Sequence, residues 1–554
     1  MATDKLSHPS GPHSSQGGRV GAPGMKKSIM ILAALVLSIY GLVFLIYQDL
    51  ASLLATGSGF AVAVYFLSLQ IKRIGKKNTR QGSTLPLMVP LYVFFLLIPV
   101  FFAVMLIING KFSFIMLVIM VSLSFTVYWS FLNVTLAVRQ KYEENKALAK
   151  PLTRFPLISI IVPAYNEEKV IAGTLDTLLE TCYPNKEIIV VDDGSKDRTY
   201  QIASTYARRG VKVIRRPNSG KAVAMNHGLC FAKGEIIVCV DADSVVSRTA
   251  LMEIARSLMD SSVLAVASNV KVLNRQNPLL ACQALEYIFD INIPRRGLDT
   301  FEAVTIVPGC LGAFRAAAVR NSGGWDIDTV VEDFDLTIKV SKAGALDAHR
   351  RFGANKLRPP AAKIVDQETK LSNGIRVSSA AVVYTEAPGS FTALWKQRMR
   401  WYYGTFQVLL KHRDAFSNKR FGALYGLSFP YIVISMVLYP VSNIVVPIAG
   451  IFAIMEGNMI SLVITLCLFA ALQFMIYALA IELDNEDRKL ALFLPLFVGY
   501  KIMLDFIRLH ALLNLLTNRR VEWNKAQRTG YYSNNSGSSM TVNPPSLRYR
   551  ICST

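Results

Sequence analysis

The chain has 554 residues, of which 52% are hydrophobic, and a formal net charge of +22 at pH 7. With a mean hydropathy of +0.35, it is too apolar for a purely soluble protein and too long for a single domain, so membrane segments are expected. Its seven cysteines are scattered without paired spacing, which indicates core residues in a reducing compartment rather than a disulfide framework, and we assign them no chemistry.

The N-terminal part of the chain predicts a tail followed by membrane helices. Residues 1–25 are rich in Gly, Ser, Pro and His and have no apolar period, which predicts a disordered tail without a cleavable signal peptide. Residues 26–138 then contain four apolar runs, each close to the ~20 residues that a helix needs to cross the hydrocarbon core. The runs lie at about 28–47, 51–70, 86–108 and 113–137. We predict four transmembrane helices.

The charges of the connecting loops predict the orientation of these helices. The loop 71–84 holds five Lys and Arg residues, whereas the loops 48–50 and 109–112 hold almost none. Because positive charge favours the cytoplasmic side, we place this loop, both termini and the polar region from Arg139 onward in the cytoplasm of a multi-pass protein of the cell membrane. The basic residues next to the spans suit anionic lipid headgroups, and we predict a lipid-bilayer partner and no nucleic-acid partner.

The polar region 139–391 has the pattern of an α/β domain. Apolar strand-like runs alternate with helix-like stretches at a spacing of roughly 25 residues, which predicts a doubly wound, mostly parallel sheet. Each run ends in polar residues, and ligands of open α/β sheets bind beyond the carboxyl ends of parallel strands. The runs are LISIIVPA, EIIVV, VKVI and EIIVCV.

Two aspartates follow the last of these runs. Asp241 and Asp243 stand one residue apart, and oxygen donors in this arrangement suit Mg²⁺ or Mn²⁺ that takes further ligands from a substrate diphosphate. Taken alone, the pair is explained equally well as a solvated turn or a helix cap. The metal site is therefore predicted only in combination with the rest of the chain.

Other polar residues of the region are candidates for the same site, and those at helix starts also have a structural explanation. Asp193 follows the second run, where an acid can accept a hydrogen bond from a base or ribose. Lys221 begins a predicted helix, where it can bind an anion or be a solvated side chain beside a cap. Glu332, Asp333 and Asp335 open another helix, where the helix dipole favours acids in any case.

The C-terminal part of the chain contains an aromatic and basic segment and further apolar runs. The segment 395–404, within interfacial helices at 392–423, fits an amphipathic helix on the membrane surface. In 424–516, two apolar runs are long enough to span, at 429–454 and 459–482.

A third apolar run, 490–516, carries Lys501, Asp505 and Arg508 on one helical face, and charges at the bilayer centre are costly. Spanning would also place the basic tail outside, against the tendency of positive charge to remain inside. We therefore predict an interfacial or re-entrant helix, six spans in all and a cytoplasmic tail at 517–554.

Taken in order, six short motifs resemble the inverting family 2 glycosyltransferases, and more narrowly the processive membrane synthases of poly-N-acetylglucosamine, hyaluronan, chitin and cellulose. The resemblance covers about 155–404 and implies a GT-A-like domain inserted between transmembrane α-helices, with a UDP-sugar as donor. The motifs are PAYNE (163–167), VDDGS (191–195), GKA (220–222), DAD (241–243), ED (332–333) and QRMRW (397–401, the Q-x-x-R-W pattern).

The resemblance implies a role for each matched residue. Asp333 is expected to be the general base that deprotonates the acceptor hydroxyl, so that a single displacement inverts the sugar without a covalent intermediate. Asp241 and Asp243 are expected to hold the metal, and Glu332 and Trp401 the acceptor sugar. The nucleotide sugar is expected to contact Ala164, Tyr165, Glu167, Asp193, Lys221, Asp241, Gln397 and Arg400.

Two segments lie outside these motifs. The segment 521–530 resembles the gating loop that closes over the nucleotide in hyaluronan-synthase-like enzymes, with Trp523 and Arg528 as its gating residues. Residues 345–376 form an insertion where relatives pass almost directly into a strand. The Arg, Lys and Pro content of the insertion predicts a solvated surface loop.

Three functions are compatible with these features. The first is a processive synthase that adds sugar to a growing β-linked polysaccharide and exports it through its membrane helices, alone or with an accessory export subunit. The EDFDL form of the base motif favours UDP-N-acetylglucosamine as the donor. The second is transfer of one sugar to a lipid carrier, and the third is an inactive scaffold or transporter subunit. The Q-x-x-R-W pattern and helices on both sides of the domain favour the first, and the intact acids oppose the third.

Overall fold

The computed structural model describes residues 133–148, 151–355, 374–455, 459–484, 486–519 and 530. The predicted N-terminal tail and the predicted spans up to residue 132 lie outside the described residues. So do residues 356–373 of the insertion and the gating residues Trp523 and Arg528.

An eight-stranded sheet forms the centre of the described domain, in the order β3-β2-β1-β4-β7-β6-β8-β5. Strands β1 to β4 are parallel, as predicted. β7 runs antiparallel to both of its neighbours, β6 and β8 are parallel, and β5 is antiparallel to β8. The strands are β1 (Ile158–Ala164), β2 (Lys186–Asp192), β3 (Val211–Arg215), β4 (Ile236–Cys239), β5 (Val245–Val246), β6 (Ala265–Val272), β7 (Gly312–Arg315) and β8 (Ile375–Thr385).

Helices cover both faces of the sheet and continue beyond the domain. Within the domain they are α1 (133–148), α2 (Ile171–Leu179), α3 (Thr199–Thr205), α4 (Lys221–Phe231), α5 (Ala250–Ser257), α6 (Pro278–Asp290), α7 (Arg296–Asp299), α8 (Ala316–Asn321) and α9 (Glu332–Asn355). After the sheet they are α10 (Phe391–Lys411), α11 (Phe429–Val433), α12 (Tyr439–Met455), α13 (Met459–Leu483) and α14 (Leu494–Leu516).

Alternation along the strands divides the core between the two faces. On β1, Ile158, Ile160 and Val162 belong to a cluster that α2, α3 and α5 cover. Ile161 points the other way, into a cluster that α4, α8 and α9 cover. Successive side chains of a strand point to opposite faces, so a strand covered by helices on both sides must be apolar throughout. This explains why the central strands are continuous apolar runs in the sequence.

The sequence predicts that the whole insertion is a surface loop, but the structure shows a helix in its first part. α9 extends without interruption to Asn355, so residues 345–355 are helical, and β8 already begins at Ile375. Ala and Arg favour the helix in this stretch, and Ala345 is buried. The prediction of a loop is therefore wrong for the first part of the insertion.

Two helical segments of the described residues, Leu424–Phe452 and Arg488–Leu516, are long and apolar enough to cross a membrane by length and composition. Two charged residues of the second segment, Asp505 and Arg508, contact other groups of the protein. Asp505 is buried, accepts a hydrogen bond from Asn443 at 2.7 Å and pairs with Arg508 at 2.5 Å. Arg508 also lies 4.9 Å from the Tyr402 ring centre. Charge alone is therefore a weaker argument against a span than the sequence suggested.

The predicted position of α14 depends on that of its neighbour α10. α14 lies alongside α10: the His510 ring is 5.8 Å from the Trp395 ring, and Asn514 Nδ2 is 3.7 Å from Met399 Sδ. Since α10 is the predicted interfacial helix, a helix that follows it side by side shares its depth. The interfacial or re-entrant position of 490–516 stays a prediction.

We expect Thr517→Cys to be labelled by a membrane-impermeant thiol reagent only from the cytoplasmic side. The reason is that an interfacial α14 leaves its C-terminal end on the same side as the α/β domain. The measurement is labelling of intact cells compared with inverted membrane vesicles. Labelling in intact cells would show that 490–516 crosses the membrane. The exposed Cys230 in α4 is the natural reference for a thiol on the same side as the α/β domain.

Candidate active site

The candidate residues converge at the carboxyl ends of the parallel strands. Ala164 ends β1, and its carbonyl accepts the backbone N–H of Asp193, just after β2, at 2.8 Å. Lys221 begins α4 after β3, and Asp241 follows β4. Glu332 is the first residue of α9 and reaches the same place from that helix. The sheet edge predicted from the sequence is thus the place where these residues meet.

One ammonium group and three carboxylates form the centre of the site. Lys221 Nζ lies 2.7 Å from Asp241 Oδ1 and 2.8 Å from Glu332 Oε1. Asp333 Oδ2 accepts the backbone N–H of Gly309 at 3.0 Å. A Cβ atom at Gly309 would lie 3.1 Å from Lys221 Nζ and 3.4 Å from Asp333 Oδ2. The absence of a side chain at Gly309 lets the backbone approach both charges closely.

The environment shifts the pKa values of the two central groups. Burial acts to lower the pKa of Lys221, but Asp241, Glu332 and Asp333 together raise it well above its ordinary value. Burial and the neighbouring Glu332 carboxylate raise the pKa of Asp333 to about 6, although Lys221 acts in the opposite direction. Lys221 therefore stays protonated, and Asp333 titrates close to neutrality, where a general base is most effective.

A small cavity opens beside these charges. Its lining combines apolar side chains with the lysine and two of the acids. The lining residues are Lys221, Met225, Cys239, Val307, Pro308, Gly309, Phe314, Trp325, Glu332 and Asp333. The sequence did not single out Trp325, which Asn226 holds by hydrogen bonds to its backbone N–H at 2.9 Å and its carbonyl at 2.7 Å. The only sequence signal for this contact is that Asn226 belongs to the helix that begins at Lys221.

Asp241 and Asp243 fit a hard divalent cation by the chemistry of their donors. Asp243 is only 6% exposed and accepts a hydrogen bond from the Thr385 hydroxyl at 3.5 Å. Asp241 Oδ1 contacts the Lys221 ammonium, so a bound cation would share this oxygen with Lys221 or displace it.

A second acidic cluster already contains a cation of the protein itself. Asp326, Asp328 and Asp335 bring their oxygens within 4.8 Å of one another. Lys411 Nζ contacts all three, at 2.7, 2.6 and 3.1 Å. Burial acts to raise the pKa of Asp326, but hydrogen bonds from Lys339 and Lys411 lower it to about 2. A lysine ammonium group thus lies among the acids, and the cluster ties the end of α10 to the start of α9.

The predicted nucleotide-binding residue Asp193 has a structural task. Its carboxylate accepts the backbone N–H groups of Ser219 at 3.1 Å and Gly220 at 2.8 Å, and Arg216 contacts it at 3.3 Å. Asp193 therefore fixes the loop that precedes Lys221. The segment with Tyr165 and Glu167 follows Ala164, and the Glu167 backbone N–H donates to the Thr199 hydroxyl at 2.7 Å.

The Q-x-x-R-W residues lie on α10, next to the start of α9. Arg400 Nη1 donates to the Val330 carbonyl at 3.4 Å, and Gln397 Oε1 accepts from Arg398 at 3.1 Å. A Cβ atom at Gly404 would lie 2.7 Å from Val331 Cγ1, so a glycine is needed for this close packing. Trp401 is half-buried on the same helix. The motif helix thus packs against Val330 and Val331, the two residues that precede Glu332.

Comparison with known proteins gives a consistent family. The family model described as "Glycosyl transferase family 2" matches residues 159–322. The poly-beta-1,6-N-acetyl-D-glucosamine synthase of Staphylococcus aureus (strain COL) is 30% identical over 305 residues, which are 54% of this chain and 66% of that protein. The enzyme of the same name from Staphylococcus epidermidis is 28% identical over 278 residues, which are 50% of this chain and 61% of that protein. The chain thus spans slightly less than two thirds of these relatives.

Solved structures give more distant likenesses. The mannosyltransferase PcManGT from Pyrobaculum calidifontis, in complex with GDP-Man and Mn²⁺, is 20% identical with a TM-score of 0.46, over 70% of this chain and 96% of that one. S. aureus TarS in complex with UDP-GlcNAc is 19% identical with a TM-score of 0.31, over 66% of this chain and 94% of that one. These likenesses are too distant to carry an argument about the chemistry of the site.

Proposed function

Because the chain belongs to glycosyltransferase family 2, we propose that it is a hexosyltransferase that extends a β-linked polysaccharide from a UDP-sugar, with UDP-N-acetylglucosamine as the donor. The α/β domain has a GT-A-like fold with a mostly parallel sheet. The observation that carries the proposal is the meeting of Lys221, Asp241, Glu332 and Asp333 at the sheet edge where ligands of such folds bind.

In this proposal Asp333 starts the reaction. Its carboxylate takes the proton of the acceptor hydroxyl, and the hydroxyl oxygen attacks the anomeric carbon of the donor sugar. The bond between that carbon and the diphosphate oxygen breaks on the opposite face, and UDP leaves with the bonding electron pair. One displacement inverts the configuration, so no covalent intermediate on the protein is required. The pKa of Asp333, raised to about 6, leaves it mostly ionised at pH 7 and ready to accept the proton.

The donor is held by charges on its diphosphate and by the strand ends. Lys221 and Arg400 supply positive charge, and the guanidinium group adds a forked set of donors. Asp193 acts by holding the loop before Lys221, while Ala164, Tyr165, Glu167 and Gln397 complete the nucleotide-sugar site. Asp241 and Asp243 would hold Mg²⁺ or Mn²⁺, which when bound offsets the charge that develops on the leaving diphosphate.

The acceptor is held beside Asp333. Glu332 precedes the base on α9, and Trp401 offers a flat face on which a sugar ring can stack, worth roughly 1–3 kcal/mol in other polymer grooves. The apolar helices after the domain support a position in the cell membrane, with the domain and both termini in the cytoplasm and export of the growing chain through the helices. An accessory export subunit is compatible with this arrangement.

The test is to incubate membranes containing the protein with individual labelled UDP-sugars and to size the products. We expect a long, insoluble chain from UDP-N-acetylglucosamine. A single lipid-linked sugar would instead favour transfer to a lipid carrier, and the absence of product with every donor would contradict the proposed activity. Membranes that contain Asp333→Asn in equal amount provide the matched background.

A further inference from the structure

A buried arginine lies directly beside the tryptophan of the proposed acceptor site. Arg398 is 0% exposed, and its guanidinium carbon is 4.2 Å from the centre of the Trp401 ring. Nη2 of the same group donates to Glu286 Oε2 at 2.8 Å. This carboxylate oxygen also accepts a hydrogen bond from the Tyr500 hydroxyl. Glu286, Arg398 and Tyr500, which we call the Arg398 network, thus join α6, α10 and α14.

The Arg398 network contributes little net stability for a contact that joins three helices. A buried ion pair is seldom more stabilising than apolar side chains of the same volume, because both charges lose their hydration. Arg398 also has a buried Nε atom without a hydrogen-bond partner among the described residues. The best-attested use of such buried polar groups is to select one geometry among several. The question is therefore which geometry is selected.

The contacts of the guanidinium answer this question. It lies over two aromatic rings, with the Tyr287 ring centre at 5.6 Å and the Trp401 ring centre at 4.2 Å. A cation within ~6 Å of an aromatic face is attracted to it by about 0.5–2 kcal/mol, most strongly for Trp. Glu286 and Tyr500 fix the guanidinium, and the guanidinium in turn fixes the Trp401 ring.

We propose that Arg398, Glu286 and Tyr500 are positioning residues that hold the Trp401 ring in the orientation on which the acceptor sugar stacks. The inference rests on the proposed function, since it deepens the acceptor role given to Trp401. None of the three residues is assigned contact with the reacting atoms. Because Tyr500 belongs to α14, the orientation of the ring also depends on how α14 packs against α10.

The test compares product length with nucleotide affinity in purified variants. Tyr500→Phe removes one hydroxyl group but keeps the ring that stacks on Phe497 at 5.6 Å. Arg398→Lys keeps the charge without the planar fork, and Arg398→Met removes both. We expect the mean product length to fall about 2-fold for Tyr500→Phe and up to about 30-fold for Arg398→Met, the range that corresponds to the loss of a cation–π contact. Arg398→Lys should lie between them. UDP affinity is compared in Tyr500→Phe, where it should stay within about twofold of the unchanged protein, because the Tyr500 hydroxyl donates to Glu286. The Arg398 variants are judged on product length, because Arg398 also donates to Gln397 Oε1 at 3.1 Å, in the proposed nucleotide site.

Tyr183→Phe is the matched control for Tyr500→Phe. Tyr183 is also buried, and its hydroxyl donates to the Pro156 carbonyl at 2.6 Å. It precedes β2 and therefore lies at the opposite end of the sheet from the site. We expect Tyr183→Phe to lower thermal stability without changing product length. A shortened product in this control would mean that length reports general destabilisation, and the inference would fail.

Trp401→Ala separates this inference from the proposed function. If Trp401→Ala leaves product length unchanged, the acceptor role of Trp401 is wrong and the positioning inference falls with it. If Trp401→Ala shortens the product but Tyr500→Phe and Arg398→Lys do not, the proposed function stands and the positioning inference alone is wrong. If Arg398→Met does not fold, Tyr500→Phe decides. An equal loss of UDP affinity in Tyr500→Phe would also overturn the inference.

Discussion

Replacement of Asp333 with Asn is expected to lower turnover by about 10²- to 10⁴-fold, the usual loss when a general base is removed, while UDP affinity stays nearly unchanged. The amide has almost the shape of the carboxylate and can still accept the Gly309 N–H that Asp333 Oδ2 accepts at 3.0 Å, but it cannot take up a proton. The measurement is single-turnover transfer together with UDP binding on the same preparation. An equal loss of UDP affinity would contradict the assignment of Asp333 as the base.

The same base predicts a pH profile. Asp333 must be deprotonated to act, and its pKa is raised to about 6, so turnover should be complete above this pH and fall as the pH drops through it. In Asp333→Asn the residual turnover should lose this acidic limb. Asp347→Asn is the matched control, since it makes the same chemical change at an exposed position of the same helix. We expect it to preserve both the turnover and the limb.

Replacement of Lys221 with Met is expected to lower kcat/KM by about 10²-fold or more, the order of loss when one preorganised charge or donor is removed from an active site. Met keeps most of the length of the side chain but removes the ammonium group that contacts Asp241 at 2.7 Å and Glu332 at 2.8 Å. The acids are then left without the cation that balances them. The diphosphate also loses a positive partner, so UDP affinity should fall together with turnover.

Metal affinity distinguishes this effect from general damage. The Lys221 ammonium group contacts Asp241 Oδ1, which a metal ion would also bind. Removal of the ammonium group should therefore lower the concentration of Mn²⁺ needed for half-saturation, even as kcat/KM falls. Lys342→Met is the matched control, because Lys342 pairs with Asp414 at 2.6 Å outside the site. It should change neither quantity. A weaker Mn²⁺ affinity in Lys221→Met would contradict the proposed sharing of Asp241 between lysine and metal.

The parallel half of the fold can be read from the sequence, and the remainder depends on distant partners. Strands such as β1 and β4 are covered on both faces and are therefore continuous apolar runs. β6 is also buried but contains Asn269 and Lys271, so it does not have this appearance. Lys271 is neutralised by Asp484, at 3.0 Å, from a distant part of the chain. Local sequence gives no sign of such a partner, nor of the reversed direction of β7.

In the site, too, some features can be predicted from the sequence and others depend on the assembled fold. The order of the motifs predicted which residues meet, because strand ends of one sheet share an edge. It did not predict that Lys221 contacts Glu332, since that contact depends on how α9 approaches the sheet. Arg398 stands inside the QRMRW segment, but only its burial against Glu286 distinguishes it from the other basic residues there. Burial of a charge is a property of the assembled fold.

The lysine at the centre of the second acidic cluster affects how a chelation experiment is interpreted. Lys411 and His412 of the α10 end hold Asp335, two residues after the proposed base. The alignment of the base with the Q-x-x-R-W helix is therefore maintained by a cation that is covalently part of the protein and that no chelator can extract. Loss of transfer after treatment with a chelator would then report on the metal's part in the chemistry, while this contact between the two helices stays in place.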